Sequence, residues 1–80
     1  MYINEVATIV KKTLVNLPAS DKLSHEDNLY NLGMTSLMSV NLMVELEEYF
    51  NFHFPHTALN INTFQSIKSI DAVISEVLSN

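Results

Sequence analysis

Eighty residues, 48% of them apolar and 16% charged, suffice for one small domain with a core and argue against a disordered chain. Nine acidic residues against four lysines and no arginine leave a net charge of −5. That balance speaks against nucleic acid, whose phosphates need a basic patch, and suits a partner with a basic surface.

No cysteine is present, so there is neither a disulfide framework nor a thiol of the chain's own. The start, Met1-Tyr2-Ile3-Asn4-Glu5, lacks the basic and apolar regions of a signal peptide, and no apolar stretch is long enough to span a bilayer. The chain therefore reads as one soluble cytoplasmic domain, residues 1–80.

Ile3, Val6, Val10 and Leu14 recur at helical spacing, with Ala7 and Thr13 beside them, and Pro18 closes the segment; the spacing predicts a first helix over 2–16. From Leu17 to Thr35 no period is sustained, and Pro18, Asp21, Asp27 and Asn28 mark a long loop. Loops of that length in so small a domain are functional or pinned by their own side chains, here Leu23, Leu29, Tyr30 and Leu32. Its end holds the single glycine, Gly33, three residues ahead of Ser36, in a turn suited to left-handed backbone angles. Ser36 to Phe50 contains neither Gly nor Pro and is predicted to be a second helix ending near Asn51. Phe52 to Pro55 is expected to be extended, because a residue before proline is pushed out of the helical region. His56 to Asn60 is expected to form one short helical turn, and Thr63 to cap a last helix striped by Ile67, Ile70, Val73, Ile74, Val77 and Leu78. The fold class is all-α: four helices, the third short, with a long loop between the first two.

Thr35 is placed to cap the second helix, which leaves the Ser36 hydroxyl spare over unpaired N–H groups at the positive end of the helix dipole. Such a position favours a phosphate by some tenths to about 1 kcal/mol, although a serine at a helix start is ordinarily no more than a helix start. A second feature bears on the choice. At 3.6 residues per turn, Ser39, Met43, Leu46 and Phe50 share one side with Val40 and Leu42 flanking, while Leu37, Met38 and Val44 project the other way among Asn41, Glu45 and Glu48. A surface helix carries one apolar stripe; the surplus reads as a docking surface, with packing under the long loop as its alternative.

Other constellations have plainer readings. His53 and His56 lack further ligands for a metal site, and Pro55 breaks the helix that would align them. Glu45, Glu47 and Glu48 suit a solvated or docking face better than acid–base catalysis. Ser39 faces the core side of its helix, and Ser66 and Ser69 follow no glycine turn, so neither they nor Ser39 share the setting of Ser36.

Leu32-Gly33-Met34-Thr35-Ser36-Leu37, followed by the helix through Glu47-Glu48-Tyr49-Phe50, resembles the carrier-protein family of acyl, peptidyl and related carriers, whose pattern is a glycine, a variable residue, Asp-Ser-Leu and an amphipathic helix. The resemblance runs from about Asp27 to Leu78 and implies a right-handed four-helix bundle. It further implies that a phosphopantetheinyl transferase moves 4'-phosphopantetheine from coenzyme A onto the Ser36 oxygen, leaving a phosphodiester, and that an acid then rides on the arm as a thioester. Ser36 would be an acceptor in a protein that is not itself an enzyme. Thr35, Leu37, Met38, Asn41, Val44, Glu45 and Glu48 would meet the transferase, a ligase that loads the arm and a downstream transferase, with the carrier a monomer. Thr35 stands where the family has Asp, keeping the capping oxygen and dropping the charge, and Met38 and Asn41 replace common carboxylates. These departures, with Phe64-Gln65-Ser66-Ile67-Lys68-Ser69-Ile70, are similar to stand-alone bacterial aminoacyl carriers loaded by relatives of class II synthetases. An acyl carrier for fatty-acid or polyketide-type synthesis, an unmodified helical interaction module and an enzyme are the other readings.

Overall fold

The computed structural model describes residues 2–17 and 22–79; Pro18, expected to close the first helix, lies outside them. Four α-helices follow in order, α1 (Ile3–Thr13), α2 (Ser36–Phe50), α3 (Ile61–Phe64) and α4 (Ile67–Leu78), with a 3-10 turn at His56–Ala58 before α3. No strand occurs among the described residues.

The periodic side chains of α1 do what their spacing requires: Val6, Val10 and Leu14 are fully or almost fully buried. The helix is shorter than the pattern, however. Leu14 leaves helical angles, and the Leu17 N–H donates to the Leu14 carbonyl at 3.0 Å, a tighter turn that carries Leu17 as well as Leu14 into the core. α1 packs against α2 and α4, and α3 packs on α4. Leu42 and Leu46 from α2 and Ile67, Ile70 and Ile74 from α4 complete the fully buried centre. Burial of five such side chains is worth about 1.5–3 kcal/mol each, which is how so small a domain offsets its chain entropy.

The long connection is pinned as expected: Leu23 and Leu29 are buried, and Tyr30 and Leu32 pack half-buried against the core. Its backbone is tied to the segment that joins α3 to α4. The Leu29 N–H donates to the Gln65 carbonyl at 2.7 Å, and the Lys68 N–H donates to the His25 carbonyl at 2.8 Å.

Helix capping at the C-terminal end differs from the reading by period. Thr63 does not cap the last helix; it is buried inside α3, which the Asn60 side chain caps by accepting from the Thr63 N–H at 3.1 Å. α4 is capped by Ser66, whose hydroxyl accepts from the Ser69 N–H while the Ser69 hydroxyl accepts from the Ser66 N–H. The short helical turn expected at His56–Asn60 is present as the 3-10 turn at His56–Ala58, and a further short helix, α3 at Ile61–Phe64, follows behind the Asn60 cap. Asp71, buried on α4, accepts from the Tyr2 N–H at 2.8 Å and pins the start of α1.

Candidate functional site

The approach to Ser36 is built by its glycine. Residues 29–32 make one helical turn, the Gly33 N–H donates to the Tyr30 carbonyl at 3.1 Å, and the Met34 N–H reaches back to the Leu29 carbonyl at 3.0 Å. That pair of bonds is a Schellman ending, with Gly33 at φ +113 in the position that needs a left-handed residue. The reversal drops Met34 into the core and sends Thr35 out extended, where its side chain accepts from the Met38 N–H at 3.2 Å. In return the Met38 sulfur accepts from the Thr35 N–H at 3.5 Å, so the capping box closes on a thioether where a carboxylate is usual.

Ser36 is the first residue of α2 and is exposed. Its carbonyl accepts from the Ser39 hydroxyl at 2.7 Å. The N–H groups of Ser36 and Leu37 have no acceptor among the described residues, so two free donors flank the Ser36 hydroxyl. Beside it opens a groove of about 380 Å³ in the seam between α2 and the 59–64 segment, walled by Val40, Met43, Leu59, Ile61 and Phe64 together with Ser36. A separate depression of about 310 Å³ lies at the other end of α2, between Val44, Glu48 and His53. Phe64 is set in place by a run of edge-to-face rings, Phe50 to Phe52 to Phe54 to Phe64, and the Glu47 carboxylate holds that run by accepting from the Phe54 N–H at 2.8 Å.

Around α2 the faces are rotated from the expected assignment. The buried line is Leu42 and Leu46, with Met38, Met43 and Phe50 half-buried beside it, whereas Val40, expected to flank the core, is half exposed. Met38, expected on the partner face, packs half-buried against the core, one helical turn ahead of the buried Leu42, and its sulfur accepts from the Thr35 N–H. Leu37 is 71% exposed, and Asn41, Val44, Glu45 and Glu48 are also exposed, so the second apolar stripe is real and runs through Leu37, Val40 and Val44. Glu45 and Glu48 stand on the flank toward α1, bordering Lys12 and Tyr49. Sequence periodicity missed the opposite wall: Leu59 and Ile61 are exposed, and four helical residues are too few for a period to reveal which way they face. Ser66 and Ser69 are occupied with capping and each other, and His53 lies 3.7 Å from the Glu47 carboxylate.

An all-α bundle with a pinned long connection and a serine leading its second helix defines the class: carrier proteins, which other enzymes work on and whose cofactor is 4'-phosphopantetheine. The chain belongs to the phosphopantetheine-attachment family, described as "Phosphopantetheine attachment site", which it matches over residues 4–75. It is 40% identical to an aminoacyl carrier protein of Agrobacterium fabrum over 58 residues, 72% of this chain and 70% of the relative. A chain in the crystal structure of an engineered Bradyrhizobium japonicum glycine:[carrier protein] ligase, complexed with carrier protein from Agrobacterium tumefaciens and ATP, superposes with a TM-score of 0.77 at 33% identity, covering 89% of this chain and 97% of that one. The fold is also that of a holo acyl carrier protein from Nitrosomonas europaea, with a TM-score of 0.84 at 24% identity over 100% of this chain and 99% of that one. No helix among the described residues is long and apolar enough to cross a membrane.

Proposed function

We propose that Ser36 bears the phosphopantetheine arm and that the cargo is an amino acid, loaded by a ligase of the kind complexed with the Agrobacterium carrier. The observation that supports the site is the geometry of Ser36: an exposed hydroxyl, spared from capping by Thr35, between two free N–H donors at the start of a fifteen-residue helix. The residues present fit the group. The phosphate oxygens of a phosphodiester on Ser36 would take the Ser36 and Leu37 N–H groups, and the groove offers an apolar wall beside the attachment point. When bound, the arm supplies the thiol that this cysteine-free chain lacks, and with it a thioester to the carried acid. Every other task falls to the chain: Gly33 sets the turn, Thr35 starts the helix, and Leu37, Asn41, Val44, Glu45 and Glu48 present a face to partners.

Aminoacyl cargo is supported by the 40% identity to an aminoacyl carrier protein. An acyl cargo is the second reading, favoured by the apolar lining of the groove beside Ser36. Incubating the arm-bearing chain with ATP, cell extract and candidate acids, and weighing the loaded product, decides between them: an amino acid increment supports the first and a fatty or polyketide acid overturns it. The same reading makes the chain a cytoplasmic monomer of one domain, in which Met38 serves partners only by holding the start of α2.

A further inference from the structure

Most polar side chains on the groove beside Ser36 are already engaged. Ser39 donates its hydroxyl to the Ser36 carbonyl at 2.7 Å. Asn60 is fixed at both atoms of its amide, Oδ1 accepting from the Thr63 N–H at 3.1 Å and Nδ2 donating to the Thr57 carbonyl at 2.9 Å. Ser36 loses its hydroxyl hydrogen once it bears the arm. Tyr30 is the exception. It lines the same groove, yet its phenol makes no hydrogen bond among the described residues. Nor is that oxygen sealed inside the fold, since Thr13 Oγ1 is the one buried side-chain polar atom without a partner among the described residues. The residue is firmly held all the same. Its ring packs half-buried against the core, and its carbonyl accepts from the Gly33 N–H in the turn that leads to Ser36.

We propose that Tyr30 is a positioning residue for the phosphopantetheine arm, its phenol O–H donating to an amide carbonyl of the arm. That role depends on Ser36 being the attachment point. The phosphate on Ser36 has the Ser36 and Leu37 N–H groups for its oxygens, so the stretch of arm beside the groove is the part beyond it, with paired methyl groups followed by amides. Val40 and Ile61 on the groove wall suit the methyls. An amide carbonyl laid against that wall gives up water, which costs free energy unless a donor takes its place. Tyr30 supplies the donor on a ring whose orientation packing has already fixed, so little side-chain freedom is lost as the bond forms. Residues 28–44 and 57–67 contain no Asp, Glu, Lys, Arg or His, so no charged side chain of these segments competes for the carbonyl. A single neutral hydrogen bond is also weak enough to break when an enzyme takes the arm.

The test is nuclear magnetic resonance of the chain with and without its arm, the tyrosines carrying a carbon-13 label at Cζ, the carbon that bears the hydroxyl. Tyr2, Tyr30 and Tyr49 are the tyrosines of the chain, and the Tyr30 signal is the one missing from a Tyr30→Phe variant. Attachment of the arm is expected to move the Tyr30 signal, to leave those of Tyr2 and Tyr49 in place, and to give nuclear Overhauser contacts from the arm to the Tyr30 ring and the Val40 and Ile61 methyls. Tyr30→Phe keeps the ring and removes the donor. Without the arm its Tm is expected to match the parent's, because the hydroxyl has no partner in the fold. With the arm, the ratio of docked to free arm is expected to fall about fivefold, the net worth of one neutral hydrogen bond, seen as weakened contacts to Val40 and Ile61. A Tyr30 signal unmoved by attachment, contacts that Tyr30→Phe leaves unchanged, or an armless Tyr30→Phe chain that melts below the parent would each overturn the inference. Failure of the underlying assignment is seen separately, by intact mass, as a chain that never acquires the arm.

Discussion

Gly33→Ala tests the turn on which the presentation of Ser36 depends. At φ +113 an L-residue is strained, and such backbone conformations cost about 1–3 kcal/mol. Alanine also narrows the unfolded ensemble, which returns about 0.4–1 kcal/mol. A Cβ at this position would lie 3.2 Å from Leu17 Cδ2, the far end of a side chain that can shift by a few tenths of an ångström, so the contact adds little. The net expectation is a loss of about 1–2 kcal/mol, which for a domain of this size lowers Tm by roughly 4–16 °C. Urea denaturation followed by circular dichroism measures the first figure and a thermal scan the second. An alanine variant as stable as the parent, or more stable, would mean that the turn does not need its glycine, and the derivation of the Ser36 approach would fail with it.

Other residues allow equally direct checks. The Thr13 hydroxyl is buried with no hydrogen-bond partner among the described residues, so Thr13→Val is expected to stabilise the chain by about 1 kcal/mol in urea denaturation; a loss of stability would show that the hydroxyl is satisfied in solution. Asp71→Ala strands the Tyr2 N–H and should cost about 1–3 kcal/mol, with Asp71→Asn recovering much of it through the retained Oδ1; equal stability of all three chains would refute the pinning role. Val44→Arg is expected to leave Tm unchanged while slowing loading by the ligase, and an unchanged loading rate removes Val44 from the partner face.

Most of the architecture is legible in the sequence because the long helices are strongly patterned. Val6, Val10 and Leu14 in α1, and Ile67, Ile70 and Ile74 in α4, recur at a spacing that only a helix turns toward one core. Gly33, as the single glycine, could be singled out without any structure, and the clear interior from Ser36 to Phe50 gave the bounds of α2 to the residue. Which way α2 faces was harder. Apolar side chains nearly encircle it, so period alone does not choose between the Leu42–Leu46 line and its neighbours; the choice falls to tertiary packing, in which α1 lies against α2 and Leu42 and Leu46 are fully buried. The capping of α4 was misread for a related reason. Asn60, Thr63 and Ser66 are all good capping residues at three-residue steps, and only the tertiary bond from Leu29 to Gln65 and the Ser66–Ser69 box reveal which one starts the helix. The groove beside Ser36 joins segments distant in sequence, and no local pattern announces that they meet.

The central assignment is the Ser36 oxygen, and intact-mass analysis tests it most directly. The chain is co-expressed with a phosphopantetheinyl transferase beside a Ser36→Ala variant, which should keep the fold because the altered side chain is exposed and Thr35 retains the cap. The parent is expected to gain the mass of one phosphopantetheine, mapped to Ser36 by fragmentation, and the variant none. A parent of unaltered mass, or a folded Ser36→Ala chain that still gains the arm, would contradict the assignment.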